Sequence, residues 1–147
     1  MCSSDLYSYV GTGGTSYGPS ATKPTVVGSY TVTATLASDA NYNGATSSAF
    51  PFSIIKADST ISVTGTNSFT YSGSPQGPDT NTKTGSTGAV TYSYVGTGGT
   101  SYGPSATKPT VVGSYTVTAT LASDANYNGA TSSAFPFSII KIGRAHV

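Results

Sequence analysis

The chain predicts an all-β fold in which two antiparallel sheets pack face to face, arranged as a tandem repeat with one complete unit and one truncated unit. Three observations predict it. Apolar and polar residues alternate with a period of two, most plainly in Gly113–Leu121, where Tyr115, Val117, Ala119 and Leu121 share one face and Thr116, Thr118 and Thr120 the other. Turn-forming clusters of Gly, Pro, Asn and Ser recur along the chain, and no 3.6-residue periodicity persists anywhere. Finally, Tyr7–Lys56 recurs without a change as Tyr92–Lys141, an offset of 85 residues. A period of that size suits whole-domain repeats better than solenoid turns of roughly 20–50 residues.

Both ends are set apart before the elements are read. Ile142–Val147 resembles the translation of a common short-read sequencing adapter, ATC GGA AGA GCA CAC GTC, and Met1–Leu6 matches the opposite strand of the same adapter. Residues 1–6 and 142–147 are therefore read as adapter-like artefacts, excluded from fold reasoning as tags and linkers are. The only Met, Cys, His and Arg of the chain fall in these ends. The remainder divides into 7–56, the C-terminal part of a first repeat whose opening thirty-five residues are expected to be missing, and 57–141, a complete repeat. The whole is expected to be an internal fragment of a longer product.

In the complete unit the elements follow in order. Thr60–Thr64 reads as a strand with Ile61 and Val63 on its inner face, and Phe69–Tyr71 as a short second one. Ser72–Pro75 and Lys83–Gly88 read as turns on either side of a polar stretch. Ala89–Val95 is a strand carrying Val90, Tyr92 and Tyr94; turns at Gly96–Gly99 and Lys108–Pro109 lead into Gly113–Leu121. Asn126–Gly129 turns the chain into Ser133–Lys141, which aims Phe135, Phe137 and Ile139 inward. Pro136 lacks a ladder donor and places that strand at an edge or a bulge. The first copy lacks counterparts of Ile61, Val63, Phe69, Tyr71 and Val90, so it is expected to be the less stable of the two and to leave a strand edge bare.

Composition limits the chemistry. Ser and Thr make up 49 of the 147 residues, Glu and Trp are absent, and only 7% of positions are charged. A net charge of +1 provides no basic field for nucleic acid. No apolar run approaches the ~18 residues of a membrane helix, so membrane insertion is not expected. The five lysines lie singly and read as solvated edge guards. Gly96-Thr-Gly-Gly99 has no downstream Gly-Lys-Ser/Thr and reads as a flexible turn, not a phosphate cradle. Without His or Glu between residues 7 and 141, a nucleophile has no ordinary base; no catalytic residues and no cofactor are expected.

The sequence Phe69-Thr-Tyr-Ser-Gly-Ser-Pro-Gln-Gly-Pro78, with Val90–Tyr94, Tyr102-Gly-Pro-Ser105, Gly113–Ala119, Asp124–Gly129 and Phe137–Lys141, resembles the MBG-type bacterial immunoglobulin-like repeat. The resemblance covers the complete unit and the truncated copy. It implies an immunoglobulin-like β-sandwich, a bacterial cell-surface or secreted setting, a stalk or adhesin-module role, and no catalytic residues.

Two features invite functional readings. Asp124-Ala-Asn-Tyr-Asn-Gly129 and its twin Asp39–Gly44 mimic the opening of a calcium loop, yet the twelfth position, which requires a bidentate acid, holds Phe135 or Phe50. A turn is expected there and no metal. Tyr102 and Tyr127, with twins Tyr17 and Tyr42, lie in loops and offer aromatic faces to a sugar ring; the competing reading has them plugging the ends of the sandwich with bonded hydroxyls. The leading expectation is thus a non-enzymatic spacer repeat of a long surface protein. Its partners are neighbouring repeats of the same chain, which abut with almost no linker and are expected to stack as a rod. The alternative is a module that binds an extracellular glycan, mucin or protein ligand through the four tyrosines.

Overall fold

A computed structural model of the chain describes residues 5–144; the outermost parts of both adapter-like ends lie outside them. The described residues contain no helix and divide between Lys56 and Ala57 into two compact units. The first holds β1 (Leu6–Thr12), β2 (Gly28–Leu36), β3 (Ala45–Thr46) and β4 (Phe50–Ile54) in a single sheet: β1 lies along one edge of β2, β3 and β4 along the other, all antiparallel.

The second unit holds β5 (Thr60–Thr64), β6 (Ser68–Thr70), β7 (Thr80–Thr84), β8 (Val90–Thr97), β9 (Gly113–Leu121), β10 (Ala130–Thr131) and β11 (Phe135–Ile140). Strand β9 is the spine of a five-stranded sheet, with β8 on one side and β10 and β11 on the other. Strands β5 and β7 pair antiparallel as the second layer, and Ile61 and Val63 of β5 meet Tyr94, Tyr115, Val117, Ala119, Leu121, Phe137 and Ile139 in one core. This is the two-layer β-sandwich that the alternation requires, since each alternating strand has one apolar face to hide. Two short strands escape sequence reading. Strand β7, Thr-Asn-Thr-Lys-Thr, has no apolar residue and is held by its ladder and by Thr60–Thr84 and Thr64–Thr80 hydroxyl pairs of 2.6 and 3.0 Å. Strand β10 has only two residues.

Ser133–Lys141 is only partly an edge. β11 lies between β9 and β6, and the β6 pairing is parallel, unlike the antiparallel rest. Ser138 donates its N–H to the Asn67 carbonyl at 3.0 Å, so Pro136, two residues earlier, turns its nitrogen the same way, just before β6 begins at Ser68. The missing donor thus costs no ladder bond. The bulge lies slightly upstream. Thr131 pairs with Thr120 but Phe135 with Val117, so three residues face two across the ladder. Ser132 fills the gap: its Oγ accepts the Ala119 N–H at 2.9 Å and donates to the Ser133 carbonyl at 2.9 Å. Ser47 does the same for Ala34 in the first unit.

Identical sequence reaches different burial in the two units. Leu121 is 1% exposed and its twin Leu36 is 49% exposed; Val117 and Ala119 are sealed, whereas Val32 and Ala34 are half-buried. The local framework nevertheless repeats. Stacked Tyr30 and Phe52 have ring centroids 5.4 Å apart, as do Tyr115 and Phe137, and the edge-to-face Tyr9–Phe52 and Tyr94–Phe137 pairs are both at 6.1 Å. Among the described residues the first unit has no counterpart of β5, β6 or β7, and β4 pairs with β2 alone. Its outer edge is bare, as the sequence leads one to expect.

Candidate functional site

Tyr102 follows the turn after β8. Gly98 has φ +61° at its crown, and the Thr100 N–H donates to the Thr97 carbonyl at 3.0 Å, which makes Gly96–Gly99 a tight turn. A strand-like bridge then ties Tyr94 to Ser105 in both directions, at 2.8 and 3.1 Å. Gly103 sits inside that bridge at φ +68°, and a Cβ there would run into the Tyr94 carbonyl oxygen, so only glycine fits. The bridge folds Tyr102 back onto the sheet. Its ring meets Tyr115 edge-on at 5.8 Å and its hydroxyl donates to the Thr107 carbonyl at 2.6 Å. Tyr17 repeats this on Tyr30, with its hydroxyl on the Thr22 carbonyl at 2.7 Å. Both tyrosines therefore commit ring edge and hydroxyl to the fold.

Tyr127 and Tyr42 lie in the Asx-type loops after β9 and β2. The Asp124 carboxylate accepts the N–H groups of Asn126 and Tyr127 at 2.9 and 2.8 Å on one oxygen, and the Thr87 N–H and hydroxyl at 2.8 and 3.2 Å on the other. These donors, the Thr87 N–H foremost, hold the Asp124 carboxyl at about 2, below its ordinary 3.8. Four donors converge on the two oxygens that a cation would need, which makes the segment a turn clamp joining two loops. Asp39 accepts only from Asn41 and Tyr42, both at 2.8 Å. Among the described residues, no three His, Cys, Asp or Glu side chains gather.

The two loop pairs do not converge on one platform. Tyr102 packs near the start of β9 and Tyr127 follows its end. Six residues separate Tyr115 from Leu121, about 20 Å at the rise of an extended strand. Tyr42 keeps its ring in solvent at 77% exposure. Tyr127 falls to 36%, beside a parallel bridge to Ala57 in which Ala57 donates to the Asn126 carbonyl at 3.0 Å and accepts from Asn128 at 2.8 Å.

One contact has no signal in the sequence. The segment between β6 and β7 lies across the face formed by β8, β9 and β11: Gly77 and Pro78 are buried, the Tyr94 hydroxyl donates to the Pro78 carbonyl at 2.7 Å, and the Gln76 N–H donates to the Pro109 carbonyl at 2.9 Å. Burial, with Asp79 and Tyr92 nearby, pushes the Tyr94 hydroxyl up to about 12, so it stays a donor across the physiological range. Lys108 is no free edge guard: its ammonium pairs with Asp79 at 2.7 Å. The pairing spans 29 residues, and spacing alone does not reveal it.

No curated protein and no solved structure matches the chain. The MBG domain family does, over residues 11–58 and again over 59–139. The two matched segments fall on the two sheets that share one set of turns, hydroxyl bonds and ring pairs, and on that ground the chain belongs to the MBG domain family, as two of its repeats in tandem.

Proposed function

We propose that the chain is a non-enzymatic spacer, part of a longer bacterial surface or secreted protein, whose repeats carry a functional region located elsewhere. The observation that carries this reading is the unchanged recurrence of fifty residues at an offset of 85, with the boundary between two compact units falling at the end of the first copy, between Lys56 and Ala57. An array lengthens by whole units when its repeats are self-contained. Supporting it, the polar groups that could serve chemistry are spent on the fold. Asp124 clamps a turn, Asp79 pairs with Lys108, Asp58 accepts from the Asn128 amide at 2.9 Å, and Tyr17, Tyr94 and Tyr102 hydroxyls bond backbone carbonyls. No helix of the described residues is long and apolar enough to cross a membrane.

Ligand capture is the competing role, and Tyr42 favours it by standing 77% exposed. A glycan array probed with the whole chain separates the two. A spacer retains no glycan above background. Specific retention that Tyr42→Ala and Tyr127→Ala remove, with the melting temperature unchanged, overturns the spacer reading in favour of a binding module.

A further inference from the structure

The complete unit is entered and left at opposite ends of its spine strand. Ala57 donates to the Asn126 carbonyl and accepts from the Asn128 N–H, and Asp58 accepts from the Asn128 amide at 2.9 Å, all in the loop that follows Leu121 at the end of β9. The chain leaves at Lys141, past β11, whose Ile139 pairs with Gly113 at the start of β9. The nine residues of β9 separate the two points by about 27 Å at the rise of an extended strand. Strands β5 and β6 form one path that changes layers: β5 pairs with β7, Gly65–Asn67 follow, and β6 lies parallel along β11 at Ser138–Ile140. Ser138 donates to the Asn67 carbonyl at 3.0 Å and Tyr71 to the Ile140 carbonyl at 2.8 Å, so this short pairing is bonded at both its ends. Across it, Phe69 meets Phe137 edge-on at 6.0 Å.

We infer that the complete repeat is a tension-bearing link, in which a pull on the chain acts along the axes of the terminal strands. Repeats joined as Lys56 is joined to Ala57, with no linker, pass tension through each unit from its Ala57 position to its Lys141 position. That pull draws β5 and β6 towards the Leu121 end of β9 and β11 towards the Gly113 end. Because β6 and β11 are parallel, they are drawn in opposite directions along one line, and all the bonds between them are strained together. Strand β5 is likewise drawn lengthwise past β7, against the Thr60–Thr84 and Thr64–Thr80 hydroxyl pairs. Had β6 run antiparallel to β11, its entry would lie beside the β11 exit, and the same pull would open the pair one bond at a time. The parallel pairing that departs from the rest of the sheet is thus the one that ties the entering chain to the leaving strand. The inference deepens the spacer reading and rests on it for the source of the tension.

Single-molecule measurements at constant tension on the whole chain test it, with thiol handles introduced in a Cys2→Ser background that removes the chain's one cysteine. Handles at Lys56→Cys and Lys141→Cys load the complete unit from entry to exit and leave the first unit outside the load path. Handles at Ser72→Cys and Lys141→Cys, both exposed positions, load the adjacent tips of β6 and β11 instead. At one tension, entry-to-exit loading is expected to unfold the unit at least ~100-fold more slowly than tip loading, releasing roughly 280 Å of chain in one step. Tyr71→Pro deletes the N–H given to the Ile140 carbonyl. It is expected to speed entry-to-exit unfolding ~5–10-fold, the worth of one backbone bond strained with the rest, and to change tip unfolding by less than ~2-fold. Equal rates under the two loadings, or an entry-to-exit rate that Tyr71→Pro leaves unchanged, overturn the inference. Glycan retention by the chain counts against the spacer role and does not move these rates, so the two failures are distinct.

Discussion

Asp124 and Asp39 are one residue in two settings. Each closes its own loop by accepting two backbone N–H groups, and Asp124 alone gains a third N–H and a hydroxyl from Thr87. The sign of the pH effect follows. The folded carboxyl sits near 2 and the ordinary value is 3.8, so its contribution is complete above about pH 4 and fades as pH falls towards 2. The second unit is therefore expected to lose stability over that window, and Asp124→Asn, which keeps an oxygen for Asn126 and Tyr127, to flatten the loss. Chemical denaturation of the two proteins at pH 5 and pH 2 measures it; parallel losses would remove Asp124 as the cause. Ser132 is a second residue whose role depends on place, because it closes the Ala119 N–H inside the core where water cannot.

At the scale of elements, β2 and β9 share one sequence and differ in what lies opposite. Strand β9 is faced by β5 and sandwiched into a closed core; among the described residues β2 has no second layer. Truncation of the same leucine therefore separates burial from propensity. Leu121→Ala is expected to destabilise its unit by about 2–5 kcal/mol, the cost of a core cavity, and Leu36→Ala its own by less than ~1 kcal/mol. Urea unfolding followed by unit-resolved amide signals reads both values, and equal costs would show that the second layer contributes little. Strand β11 carries the companion lesson. Its proline is tolerated because β6 starts two residues too late to need the missing donor.

For the molecule as a whole, the two units are expected to unfold in two steps. The first unit has one sheet, a bare β4 edge and half-buried Val32, Ala34, Phe52 and Ile54, while the second encloses Val117, Ala119, Phe137 and Ile139. Hydrogen exchange at twin amides reports this directly: Thr31–Ala34 are expected to exchange faster than Thr116–Ala119 by orders of magnitude, since burial sets the free energy of local opening. Equal protection of the twins would overturn it.

Much of this was legible from residue order alone. Alternation placed Tyr115, Val117, Ala119 and Leu121 on one face, turn residues marked the loops, and the period of 85 separated the units, because all three are local or repetitive patterns. Local chemistry likewise determined the Asx turns, the Tyr17 and Tyr102 hydroxyl bonds and the ring pairs, which recur in both copies. Strand β7 was hidden because threonines and asparagine carry no apolar signal, and the parallel β6 pairing and the Lys108–Asp79 contact because each joins distant residues. The missing opening segment pointed to the less covered copy, but only the tertiary structure decided how deeply each twin is buried. Burial belongs to the surface that arrives from elsewhere in the chain, and fifty identical residues cannot specify whether it arrives.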